Sequence, residues 1–132
     1  MATVAERVAR GAALLDDKDP GWWRDEGERA IRLGNLEMAE PEHCVLGQRC
    51  PVTVLAAFCH LSPGDEDELS ALSAQWWRAY TAYAIELSGL DYDSEPSLDR
   101  WGRYHGFSGS IFDEYPGLTA EWIRVITGRR SA

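Results

Sequence analysis

From about Asp65 to Ser88 the chain reads as one uninterrupted helix, the longest it contains, and every other element has to be arranged around it. Leu69, Leu72, Trp76, Tyr83 and Leu87 recur at helical spacing to form an apolar stripe, widened by Tyr80 and Ala84. Ser62-Pro63-Gly64-Asp65 offers a cap and a first-turn proline, and Glu66, Asp67 and Glu68 suit the positive end of the macrodipole. Gly89 supplies the stop. Trp76 and Leu72 are therefore expected to be buried.

Shorter helices frame this one. Thr3-Val4-Ala5-Glu6 fits a capping box, and Val4, Val8, Ala12 and Leu15 share a face as far as Asp16. Pro20 ends that helix, because it removes a donor and disfavours helical geometry at Asp19. Pro41 suits the first turn of a helix through Cys44 and Gln48, and Pro51 the start of another with Val52, Leu55, Phe58 and Cys59 inward. Residues 89–96 read as a polar loop, Ser97 to Arg103 as a short helix ended by His105-Gly106. Pro116 opens a last helix with Leu118, Trp122, Ile123 and Ile126 inward, stopped at Gly128. Ile31, Leu33, Leu36 and Met38 mix both periods around Gly34-Asn35, which reads as a loop with at most a short strand pair. The expected fold is mainly α: a compact single-domain helical bundle around one long central helix, with at most a short β-hairpin. The domain is expected over residues 1–128, with 129–132 a frayed tail.

A chain of 132 residues with 45% hydrophobic content suits one ordinary globular domain. It has no long uncharged apolar run and no signal-peptide core, so a cytoplasmic protein without a membrane span is expected. Three cysteines without export signals argue for reduced thiols. With 22 acidic against 13 basic residues the net charge is −9, which disfavours direct nucleic-acid binding, since phosphates need a basic face. The acidity serves solubility, or else a face that docks on a basic partner.

No Gly-rich phosphate loop, Gly-x-Ser-x-Gly turn or His-Glu-x-x-His helix is present. His43, Cys44, Cys50, Cys59 and His60 are zinc ligands by type, but Cys44 and Cys50 are too far apart for a knuckle and Cys59 faces inward. No metal and no cofactor are expected. Cys44 in a first helical turn would gain thiolate character, yet His43 beside it points elsewhere and is a poor base. The acidic runs Asp16-Asp17-Lys18-Asp19, Asp65–Glu68 and Asp91–Glu95 lack the spacing of a calcium loop and read as helix ends and solvated loops.

Aromatic residues are the remaining signal, with six Trp, five Tyr and three Phe. In each of Trp22-Trp23 and Trp76-Trp77 one ring can be buried while the other points away. The spare ring fills a boundary position or serves as an interface anchor. Trp23, Trp77, Arg78 and Arg103 are the candidate binding residues.

Five ordered blocks carry a family resemblance: Arg10 to Asp16, Pro20 to Trp23, Cys44 to Gln48, Tyr104 to Phe107 and Tyr115 to Trp122. Together they resemble a family of small uncharacterised proteins encoded by actinobacteriophages and by actinobacteria carrying phage remnants. The resemblance spans most of the chain, and none of its blocks is a catalytic signature. It brings no assigned activity, but makes the chain look like a non-enzymatic phage accessory factor that binds and modulates a bacterial host protein, and the net charge of −9 suits a partner with a basic surface. Two alternatives stand beside it. One is a small-ligand binder that sequesters a nucleotide or signal in an aromatic pocket with Arg78, Arg100 or Arg103 on the phosphate; the other is a thiol or metal site built around Cys44.

Overall fold

The computed structural model describes residues 2–50, 66–90 and 95–132, the side chains of 66–73 and 95–97 excepted. Five α-helices lie within them: α1 (Val4–Lys18), α2 (Val45–Arg49), α3 (Glu66–Ser88), α4 (Glu95–Tyr104) and α5 (Tyr115–Arg130). Short 3-10 turns occupy Leu33–Asn35 and Phe112–Glu114. No strand occurs among the described residues. The molecule is mainly α, as the periodicity requires, and none of these helices is long and apolar enough to cross a membrane.

Helix α1 starts where its cap is. The Thr3 hydroxyl accepts the Glu6 amide at 3.1 Å and bonds the Glu6 carboxylate at 3.1 Å, so two polar groups of the first turn satisfy each other. Val8, Ala12 and Leu15 form its buried face. They join Trp22, Ile31, Leu36, Met38, Val45, Leu46, Tyr83, Leu87, Phe107, Leu118, Trp122 and Ile126 in one core cluster. Within the described residues α1 packs against α3, α4 and most extensively α5, while α3 also meets α2 and α4. The last helix thus lies along α1, where the sequence had suggested packing onto the long helix. Trp76 is buried, as its place on the stripe requires. The Leu69 and Leu72 side chains fall outside the described residues, as do the segment after Pro51 and the expected Ser62 cap.

Residues 31–38 form an irregular segment with one 3-10 turn, pinned by the buried side chains of Ile31, Leu36 and Met38. Helix α4 begins at Glu95, two residues earlier than expected, since Pro96 is tolerated in a first turn that needs no donor. Its end is set by Gly106, whose φ of +72° only glycine adopts freely.

Arg129 and Arg130 belong to a helix. Helix α5 continues through Gly128 to Arg130, and Arg130 donates 2.7 Å hydrogen bonds to the Trp23 and Ile31 carbonyls. Arg129 pairs with Asp16. A mid-helix glycine costs about 1 kcal/mol. Two charged hydrogen bonds, at about 1.5–3 kcal/mol each, outweigh that, so the helix carries on.

The turn before α2 is also tighter than expected. Cys44 lies at the N-cap of α2 rather than inside a helix opened by Pro41. Gly47 is pressed so closely to the Pro41 carbonyl that an added Cβ would fall 1.8 Å from its oxygen. Gly47→Ala is accordingly expected to destabilise by about 1–3 kcal/mol, the usual cost of overpacking. Chemical denaturation reads this directly, and an unchanged midpoint would mean the turn is looser than described.

Candidate functional site

The five sequence blocks converge, and what they build is scaffold. Helix α1 approaches the Tyr104–Phe107 turn so closely that a Cβ on Gly11 would lie 2.0 Å from the His105 carbonyl oxygen. A Cβ on Gly106 would lie 2.8 Å from the Val8 nitrogen. Trp122 closes this contact by donating its indole N–H to the Gly106 carbonyl at 2.6 Å. Its ring stacks on Phe107 at 5.5 Å and meets Trp22 edge-on at 5.7 Å. Trp22 in turn donates to Asp16 at 3.0 Å. The Cys44–Gln48 block joins through Val45 and Leu46, which share the core cluster of Leu15, Trp22, Phe107 and Trp122, while Gln48 accepts the Arg32 amide at 2.7 Å and donates to the His43 carbonyl at 2.8 Å. The Met38 amide reaches Thr119 at 2.9 Å. Each block therefore supplies a close approach, a cap or a core ring.

A second interior feature escaped the sequence reading, which treated Asp16 to Asp19 as a solvated helix end. Asp19 accepts 2.8 and 2.7 Å hydrogen bonds from the Arg49 guanidinium and one of 2.8 Å from the Tyr83 hydroxyl. Arg29 adds a 3.4 Å contact and donates to the Arg49 carbonyl. Burial pushes the Asp19 carboxyl upward, but the Arg49 and Tyr83 hydrogen bonds and the nearby guanidinium charges hold it below its ordinary value. Burial and the bond to Asp19 raise the Tyr83 phenol. This network ties the end of α1, the 19–29 loop, α2 and α3 into one piece.

The surroundings of Cys44 favour its neutral thiol. Burial raises its pKa, outweighing the amide that Gly47 donates to it at 3.4 Å. The thiol itself donates to the Pro41 carbonyl at 3.1 Å. His43 turns to Glu40. Cys44 and Cys50 are both free and buried, and no group of metal-ligating side chains gathers among the described residues. Cys59 and His60 lie outside them.

Of the four candidate binding residues, Trp77 is 47% exposed and Trp23 is half-buried beside Arg24. Arg78 is exposed and returns to the Ala74 carbonyl of its own helix at 3.4 Å. Arg103 is half-buried, and its carbonyl accepts from Arg7 at 2.8 Å. Trp77 lines a cavity of about 450 Å³ between α3 and α4; the other three are not among its described lining residues. Tyr80, Trp101 and Phe107 are its other aromatic lining residues, with Thr81, Ser108 and Asp99 as polar groups. Trp101 and Phe107 lie 5.2 Å apart, Trp77 and Tyr80 5.7 Å.

The most exposed apolar pair among the described residues was not foreseen. Ile111 and Phe112 are 63% and 80% exposed, in the segment between α4 and α5. The backbone beneath them is held at both ends by buried Arg7, which donates to the Arg103 carbonyl at 2.8 Å, the Ser108 carbonyl at 2.9 Å and the Glu114 carboxylate at 3.2 Å. Glu114 also accepts the Ser110 amide at 2.6 Å. That bond and the Arg7 charge keep the Glu114 carboxyl below its ordinary value. The sequence signal was an apolar pair set between turn-forming Gly109-Ser110 and acidic Asp113-Glu114. Comparison with protein-family models, curated proteins and solved structures gives no match to this chain.

Proposed function

We propose that the protein is a non-enzymatic interaction factor, of the phage accessory type that the sequence resemblance implies, and that it docks on a bacterial host protein through the Ile111–Phe112 turn. The observation that carries this reading is Phe112, a large apolar ring 80% exposed on a segment braced by a buried arginine. Isolated apolar side chains are ordinary on protein surfaces. Two adjacent ones on a pre-ordered turn are a different case, because their ordering cost is already met before a partner arrives. Asp113 beside them, in a chain of net charge −9, suits a partner whose apolar pocket has a basic rim. The buried, protonated Cys44 thiol weighs against thiol chemistry.

The test is an Ile111→Ser/Phe112→Ser double variant, used as tagged bait in an actinobacterial host lysate beside the wild type. Removal of one hot spot weakens binding about thirtyfold or more. The host protein retained by the wild type is expected to be lost from the variant, with the melting temperature unchanged, and to be retained less well as salt rises. Equal retention by both would refute the assignment of this turn.

A further inference from the structure

The cavity between α3 and α4 has a chemistry of its own, independent of the Ile111–Phe112 turn. Its size, about 450 Å³, lies in the range of small-ligand sites. Trp77 and Tyr80 from α3 and Trp101 from α4 bring aromatic rings to its lining, with Phe107, stacked on Trp122, behind them. Among its described lining residues Asp99 is the one charged group, and no lysine or arginine appears there. A carboxylate as the charged group of this lining favours a cation over a phosphate. Aromatic faces present negative potential, and a carboxylate adds to it. We infer that this cavity binds an organic cation, with the ammonium or guanidinium group held between the aromatic rings and Asp99, and the Thr81 and Ser108 hydroxyls available to its polar substituents.

Two sources share that chemistry: a free alkylammonium compound and the basic side chain of another protein. The full chain, labelled with nitrogen-15, is titrated at constant ionic strength with choline, with N-acetyl-arginine methylamide, and with 3,3-dimethylbutan-1-ol, the neutral isostere of choline. Indole N–H resonances report the site, since Trp77 and Trp101 line it and Trp22 and Trp122 do not. At least one cation is expected to shift Trp77 and Trp101 while leaving the fully buried Trp22 and Trp122 in place. The neutral isostere should bind about tenfold more weakly than choline where choline is the ligand, the usual worth of a cation–aromatic contact. Asp99→Asn, at an exposed position, should weaken the cation about threefold with no change in melting temperature. Tighter binding of choline assigns a free small molecule, and tighter binding of the arginine amide assigns a partner's side chain. Equal binding of choline and its isostere, shifts confined to other indoles, or no binding of either cation overturns the inference.

Discussion

The Trp122→Ala variant is expected to lose about 3–5 kcal/mol of stability, the range for truncating a fully buried aromatic. Trp122 is 0% exposed and carries three contacts at once: the stack on Phe107, the edge contact with Trp22 and the indole bond to the Gly106 carbonyl. Truncation also strands that carbonyl, whose unsatisfied burial belongs to the same loss. Native stability of a domain this size is about 5–15 kcal/mol, so the variant should sit near the edge of folding at 37 °C. Urea denaturation followed by far-ultraviolet circular dichroism measures it. Ile111→Ser, at a 63% exposed position, is the control, expected within about 0.5 kcal/mol of wild type. Comparable losses in the two variants would mean that the blocks do not meet at Trp122.

The second large effect is expected at the Asp19–Arg49 pair. Their side chains are 13% and 9% exposed, and Arg49→Ala leaves the carboxylate without its bidentate partner. Breaking a buried pair from one side costs about 3–5 kcal/mol. The Arg129–Asp16 pair, at 31% and 44% exposure, is expected to contribute only about 0–1 kcal/mol. The pH dependence has a definite sign. The Asp19 carboxyl titrates below its ordinary value when folded and near 3.9, roughly, when unfolded. Its contribution is therefore fully present above that unfolded value and is lost as pH falls through the lower folded one. The stability difference between wild type and Asp19→Asn should be largest at neutral pH and shrink as pH drops below about 4. A difference independent of pH would show that the carboxylate charge contributes nothing.

What could be read from the sequence follows from range. Helix α1 was legible because its cap and its Val8, Ala12, Leu15 stripe are local, and so was the orientation of α3, whose Trp76 is buried while Trp77 is exposed. Asp19 was misread as a solvated helix end because its partners Arg49 and Tyr83 lie 30 and 64 positions away. Arg130 was given to a tail because Gly128 looks like a stop, and only the distant Trp23 and Ile31 carbonyls explain why the helix continues. The same limit hid the candidate site. Exposure of Ile111 and Phe112 depends on what lies opposite them, and Arg7, which braces their turn, sits about a hundred residues earlier. Trp77 could be proposed from its pairing with Trp76, but the carboxylate and the Trp101 ring that share its cavity required the packing of α4 against α3.

The proposed docking depends on Phe112 as the residue that meets a partner. A photoreactive benzoylphenylalanine placed at position 112 in host cells tests this most directly, with the same residue at exposed position 78 as the control. The expected result is one discrete cross-linked host protein at position 112 and none of that species at position 78. Absence of an adduct at position 112, or the same adducts from both positions, would contradict the docking role of the turn.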